Sequence, residues 1–527
     1  MKKNTLLISA LCVSIFLTCS CKKTFTPVST DATTTQKTAS PGGNLSTFST
    51  SSLLLESLTG PVTQNEINAF KTYMASYPTP APNSGNGWVF GDPGKAIEAC
   101  GLMYEASHDQ AILDKMIFLC DDALSGRNDI LSAANGGQLV CWTGNIEPVW
   151  PSSAAGVTPA VADVEQGGTL SHLAYCSLLI LQNPAIWNNT VTIGDPDGFG
   201  ATYKARALKY MTQGDYTMDQ FIIPHFLKTT ASNHYYFPGA PNPYQPGNPA
   251  PWNQAWLLTD GFTRLAQCHK VLNDAPSRVT QYYNIVKPNI DWFFANLTPN
   301  TSGVGTACYT FAYAYPSGME DTNHFAYDSE GLWIAYNSGL YGLTSSAVLP
   351  FANTYIDVVL ATVQGGLYAG LVDGTYGTGH AAGDNYVRDE YLYYSEFRPQ
   401  NYQQMGNIEI TQNKISGSAA ITSRLLWEKS RLYTKAQALH VSMYQNCSYG
   451  GWTASFGLGS YTTAQIVALG GKDNDASSLK IPAGLTVTVY DGDNFTGTST
   501  VLTSDQSCLS SISFNDKVSS MKVTQTY

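Results

Sequence analysis

Asn323 and His324 stand at the head of an aromatic helical pattern, inside the string Glu320-Asp321-Thr322-Asn323-His324-Phe325-Ala326-Tyr327-Asp328. Further along, a second group runs from Asp384 through Tyr386, Arg388, Tyr391, Tyr393 and Tyr394 to Arg398 and Tyr402. An amide, an imidazole, phenols and guanidinium groups are the equipment for cleaving an acidic sugar polymer by β-elimination, without water. The proton beside a uronate carboxylate is only weakly acidic. An eliminating enzyme must neutralise that carboxylate, remove the proton and protonate the departing glycosidic oxygen. Asn, Gln, His or Arg can do the first by donating hydrogen bonds to the developing enolate. His or an ionised Tyr can do the second, and Tyr the third. Asn323 and His324 fit the first two tasks. Arg388 can hold the carboxylate or lower the pKa of a nearby phenol through its charge. Tyr394 and Tyr386 are the candidate acids.

Further substrate-binding candidates are Tyr327, Arg398 and the string Trp252-Asn253-Gln254, which follows a Pro-rich loop over 237–251. Trp252 either stacks on a sugar or wedges against the core. Asn253 reads equally as a helix cap, and Gln254 as a carboxylate ligand. Tyr376 and His380 stand in reserve. A glycoside hydrolase is the competing enzyme class and needs two carboxylates across the scissile bond. Asp121 and Asp122 are adjacent and point apart on a helix, which leaves Glu320, Asp321, Asp328, Glu330, Asp389 and Glu396. A non-catalytic surface glycan-binding lipoprotein is the third reading. No HExxH, GxSxG, phosphate-binding or dinucleotide string occurs in a plausible context.

The elements that must position these groups are mostly helices. Apolar residues recur at helical spacing over 95–107, 111–124, 168–181, 201–221, 253–272, 280–297, 325–341, 350–363 and 419–440. Helices of similar length joined by Gly-, Pro- and Asn-rich loops predict stacked helical hairpins over 53–470, closed into an α/α toroid; an open solenoid is the alternative, but no fixed-period repeat is visible. The 527 residues carry a net charge of −11 with no basic tract. That argues against nucleic acid as a partner, and an acidic polysaccharide would need a local basic pocket. The 32 Tyr and 10 Trp suit both sugar clefts and helix-packing cores.

Residues 1–21 read as a lipoprotein signal, with Lys2 and Lys3 ahead of an apolar run and Cys21 as the acylated residue. A Ser/Thr-rich tether over 22–52 follows. The expected location is the bacterial envelope, periplasm or outer membrane, with the membrane met only through the lipid. Export permits disulfides among Cys100, Cys120, Cys141, Cys176, Cys268, Cys308, Cys447 and Cys508, but spacing assigns no pair. After Gly471 the composition turns to Thr, Val and Ser in strand-like alternation, which predicts a small all-β unit over 478–527. Within it Tyr490 to Gly497 spells Tyr-x-x-x-x-Phe-x-Gly, and 515–520 spells Asn-Asp-x-x-Ser-Ser.

Two resemblances follow. Asn323-His324 with Ala326-Tyr327 and a downstream Arg and Tyr resembles the alginate lyase superfamily and its α/α toroid. With Leu102-Met103-Tyr104-Glu105-Ala106, Gly126-Arg127-Asn128-Asp129, Glu147-Pro148-Val149-Trp150-Pro151 and Trp252-Asn253-Gln254, it looks most like polysaccharide lyase family 38, over about 84–440. That resemblance implies elimination on a β-1,4-linked uronan, glucuronan or alginate, with Asn323, His324, Arg388 and Tyr394 in the catalytic roles and no catalytic cofactor. The C-terminal strings resemble a single βγ-crystallin Greek key. They imply a calcium ion held by Asn515, Asp516 and Ser519, oxygen ligands suited to a hard cation.

Overall fold

The computed structural model describes residues 52–78, 85–89, 91–132, 137–151, 159–242 and 244–527. The expected signal and nearly all of the tether lie outside the described residues. Helices dominate up to Gln437: α1 (Gln64–Ala75), α2 (Gly85–Val89), α3 (Asp92–Ser107), α4 (Gln110–Ser125), α5 (Gly167–Leu181), α6 (Tyr203–Thr217), α7 (Ile223–Phe226), α8 (Trp252–Leu272), α9 (Pro276–Ala295), α10 (Thr322–Ser338), α11 (Ser345–Asn353), α12 (Tyr402–Thr411) and α13 (Ala419–Gln437). Small hairpins interrupt them: β1 (Leu227–Lys228) with β2 (His234–Tyr235), β3 (Thr298–Thr301) with β4 (Ala307–Thr310), and β5 (Val363–Gln364) with β6 (Leu367–Tyr368).

Six segments pack in a closed circuit. α3 lies on α5, α5 on α8, α8 on α10, and α10 on the 3-10 helix Asp389–Glu396; that helix lies on α13, and α13 returns to α3. A second layer covers the circuit, with α4 on α3 and α5, α6 on α5, α9 on α8, and α11 on α10. Close approach depends on glycine. A Cβ at Gly101 would come within 2.2 Å of the Tyr175 ring, and one at Gly331 within 2.6 Å of Trp256 Cβ. Nearly every helix expected from periodicity is present, with ends displaced by a few residues. The 3-10 helix Asp389–Glu396 has no apolar stripe of helical period. Tyr391, Tyr393 and Tyr394 are all fully buried in it, so burial on every side hides its period.

Several charged groups are buried in this unit. Glu66 closes a capping box with Thr63 at the start of α1. The same carboxylate takes Lys429 Nζ at 2.7 and 2.9 Å, tying α1 to α13 with both partners almost fully buried.

The β unit begins earlier than composition implied. Its strands are β7 (Val441–Asn446), β8 (Gly450–Phe456), β9 (Gly459–Tyr461), β10 (Ser478–Lys480), β11 (Leu485–Gly492), β12 (Thr496–Leu502) and β13 (Ser520–Gln525), with a short helix α14 (Thr463–Ala468) between β9 and β10. They form a three-stranded sheet in the order β10-β7-β8 and a four-stranded sheet in the order β12-β11-β13-β9. β9, next in chain to β8, pairs across with β13, while Gln506 pairs back with Leu479 of β10. Two Greek keys therefore exchange edge segments, and the expected single key over 478–527 is corrected to a pair starting at Val441. The first copy of the pattern is Tyr444-x-x-x-x-Tyr449-x-Gly451, with Tyr where the second copy has Phe495. Each copy folds the same corner: Tyr444–Tyr449 and Tyr490–Phe495 meet edge-on at 5.6 and 5.9 Å. Cys447 and Cys508 form a disulfide between the keys, and the other six described cysteines are buried and free. The unit touches the helices through Gly60 N–H on Gln525 Oε1 and Gln403 Nε2 on the Thr526 carbonyl.

Candidate functional site

Asp321 caps α10. Its backbone is extended, and its Oδ1 accepts the N–H groups of Asn323 and His324 at 3.0 and 2.9 Å. Its other oxygen meets His324 Nδ1 at 2.7 Å. One carboxylate thus starts the helix and orients the imidazole, leaving Nε2 directed away from the cap. Asn323 Nδ2 lies 3.4 Å from His380 Nδ1. The rings of Tyr313 and His380 flank His324, with centroids at 4.7 and 5.2 Å. The His324 side chain keeps 19% of its surface exposed, so a ligand can reach it.

Beneath this group sit two fully buried carboxyls, Glu320 and Asp328. Burial, then their mutual repulsion and that of Asp321, pushes Glu320 well above the carboxylate range; burial and Asp321 push Asp328 the same way.

Alongside, the circuit surrounds a small, partly open pocket with about 30 Å³ of room for solvent. Each of the six segments contributes to its wall near its own N-terminal end: Lys95, His172, Leu257, Tyr327, Asp389 and Ser423. Lys95 reaches Asp389 at 2.9 Å and Glu390 at 2.7 Å. Burial alone would push this amine down, but the two carboxylates outweigh it and hold it well up. Burial lifts the Tyr327 phenol to about 12, against the nearby Lys95 charge 6.0 Å from its ring. Burial also lifts Glu330 to about 7, with Arg424 at 3.2 Å acting the other way. Asp389 is held low: burial raises it, but Lys95 and Arg424 more than offset that.

The sequence candidates divide in two. Asn323, His324 and Tyr327 lie at this end of the circuit. Tyr386 is half-buried between Arg388, 5.8 Å from its ring, and Lys414, 3.9 Å from it. Arg388 is held by Asp384 at 2.9 Å, with its Nε unpartnered. Gln254 hydrogen-bonds the Tyr244 side chain and keeps Oε1 free. Tyr394 is not brought to the site: it is fully buried and shares a 2.7 Å hydrogen bond with Ser329. Arg398 is spent on Asn353 and Asp357, at 2.6 and 2.9 Å. Trp252 is buried against Trp292 and Phe293, which makes it core and not a sugar platform. Asn253 does not cap α8, because Pro251 holds that position. In reserve, His380 joins the site, whereas the Tyr376 hydroxyl is bound to the carbonyls of Thr362 and Leu367.

Three contributors escaped the sequence reading: Asp321 as the imidazole's partner, Tyr313 and Lys95. The Asp-x-x-His spacing at a helix start carries a signal for the first, since cap and third helical residue face each other. Nothing local marks Tyr313 or Lys95, which arrive from other elements.

In the β unit the expected calcium ligands are redistributed. Ser519 does not face Asp516; its hydroxyl meets Asp473 Oδ1 at 2.7 Å and Asn474 Oδ1 at 3.2 Å. Asp516 Oδ1 instead accepts from Ser477 at 2.9 Å, and its Oδ2 is bonded by Asn515. The string 473–478, Asp-Asn-x-x-Ser-Ser, repeats 515–520, so each acidic pair faces the serine of the other key. Oxygen-only donors in two matching places fit a hard cation.

No family model matches the chain. It is 31% identical over 84 residues to Development-specific protein S of Myxococcus xanthus, a stretch of 16% of this chain and 47% of that protein, so it spans about half the length of this curated relative. Among solved structures, a βγ-crystallin domain from Flavobacterium johnsoniae is 41% identical, covering 16% of this chain and 93% of that one, with a TM-score of 0.16. One from Clostridium beijerinckii is 38% identical, covering 16% and 98%, also with a TM-score of 0.16. About a sixth of this chain, where the paired keys and their repeated corner strings lie, is similar to these βγ-crystallin domains.

Proposed function

We propose that this protein is an exported, lipid-anchored polysaccharide lyase that cleaves a β-1,4-linked uronan, glucuronan or alginate, by β-elimination. The helical unit is read as an α/α toroid, a reading supported by the closed circuit from α3 back to α3. The observation that carries the function is the Asp321–His324 pair at 2.7 Å beside Asn323, partly exposed at the start of α10. A carboxylate on Nδ1 keeps the proton there and leaves Nε2 as a base for the sugar's C5 proton. Asn323 and Gln254 hold the uronate carboxylate, and the N-terminal ends of the inner helices add a positive field where that charge binds. Tyr386, next to Arg388 and Lys414, protonates the leaving oxygen. The β unit binds calcium at its two crossed sites and acts as a rigid appendage.

The test is incubation with glucuronan, alginate and a neutral mannan while following the absorbance of the unsaturated product. Growth of that absorbance on a uronan and not on the mannan is expected. A hydrolase is the second reading, favoured by one observation: Glu330 and Asp389 both approach Arg424 Nη2, at 3.2 and 3.7 Å, with affinities for protons pushed apart. New reducing ends without the absorbance would select it.

A further inference from the structure

We infer that Glu320, Asp321 and His324 form a binding site for a divalent transition-metal ion, zinc or manganese in type, with Asp328 as a reserve ligand. One donor atom from each of the first three lies within 4.8 Å of the others. Around a tetrahedral ion with bonds of about 2.1 Å the ligand atoms stand about 3.4 Å apart, so side-chain rotation must close the widest pair by up to about 1.4 Å to complete the set. The mixture of one imidazole and several carboxylates suits zinc or manganese better than calcium.

A second observation points the same way. Glu320 and Asp328 are fully buried, and apart from a hydrogen bond between their own carboxyls, Glu320 Oε2 and both Asp328 oxygens have no partner. The Asp321 carboxylate acts on both and, with burial, keeps the pair protonated. A bound cation would take the place of that proton, since buried carboxylates are ordinarily paired or metal-bound. Among the described residues, the cationic candidate that meets the cluster is His324 itself. Two other buried acids of the helical unit have cationic partners: Glu98 has Arg264 and Glu66 has Lys429.

This inference stands apart from the elimination reading. An ion on Nδ1 would displace the hydrogen bond to Asp321 and leave the ring's proton on Nε2. His324 would then donate to a substrate and could not accept from it. Metal loading and His324 as base are therefore mutually exclusive.

The experiment is titration of Zn²⁺ into the metal-stripped full-length protein with calcium saturating, followed by calorimetry and by melting temperature. One tight zinc equivalent and a raised melting temperature are expected. Both should vanish in Glu320→Gln, which keeps the side-chain shape, and in His324→Ala, which is partly exposed and leaves the buried pair untouched. Absence of that equivalent, or its survival in both variants, overturns the site. So does Asp328→Asn that raises the melting temperature of a protein taking up no zinc, since the two carboxyls then simply share a proton.

Discussion

The helical unit and the β unit bury opposite kinds of polar group. Every described buried Asp, Glu, Lys or Arg lies before Val441, whereas in the β unit the buried polar side chains are Ser477, Ser478, Ser519 and Ser520. These are the serine pairs of the two repeated strings, and each meets a backbone or side-chain partner at short range. The helical unit instead buries carboxyls, some paired and some not. Burying charge is costly unless the group is well paired. The contrast is consistent with the proposed division, with the reaction in the circuit and ion binding in the keys.

Breaking the contrast at its most reactive point should give the largest effect. His324→Ala is expected to lower turnover by about 10³-fold, within the range for loss of a general base, with the circular dichroism spectrum unchanged. Retained activity would remove that imidazole from the mechanism. Next comes the buried pair: Glu66→Ala leaves Lys429 buried and alone, and should cost about 3–5 kcal/mol in denaturant unfolding. A loss near zero would mean that the helical interior tolerates charge as water does.

Calcium sharpens the comparison from the other side. Saturating calcium should stabilise the β unit by about 2.7 kcal/mol at a hundredfold excess over Kd, read as a shift of its own melting transition. Asp473→Asn and Asp516→Asn should each remove part of that shift and leave turnover alone. A smaller effect is expected at Glu428, fully buried with Oε1 unpartnered and raised by burial to about 8. Between about pH 4.5 and 8 the folded protein keeps this proton while the unfolded chain has lost it, so stability falls as pH rises through that window. Glu428→Gln should add about 1–3 kcal/mol at neutral pH and flatten the slope; an unchanged slope would place the titration elsewhere. The smallest change is Tyr394→Phe, which removes one buried hydrogen bond to Ser329 and should cost about 1 kcal/mol with activity kept. Tyr386→Phe should instead cut turnover; if the two tyrosines exchange these outcomes, the acid has been misassigned.

Much of the scaffold was legible from spacing alone. Periodicity located α3, α4, α5, α8, α9, α10 and α13, although α5 is buried at every position but His172. It failed for the 3-10 helix Asp389–Glu396, whose tyrosines are buried all round, and for the first Greek key, where Tyr449 stands in the place of the later Phe495. At the site, Asn323 and His324 were legible as chemistry, and Asp321 was present in the string without its role. Tyr394 and Arg398 misled because a phenol and a guanidinium look alike in sequence whether they face solvent, as Tyr386 does in part, or the core.

Residue order alone determined the helical periods, the cap at Asp321 and the corner strings of both keys, since each depends on contacts within a few residues along the chain. Tertiary structure decided which groups meet: Lys95 with Glu390, Tyr313 with His324, Ser519 with Asp473. Those meetings span from 11 to 295 residues. They are set by which apolar faces pack together, a property of the assembled circuit and the exchanged strands that no local spacing encodes.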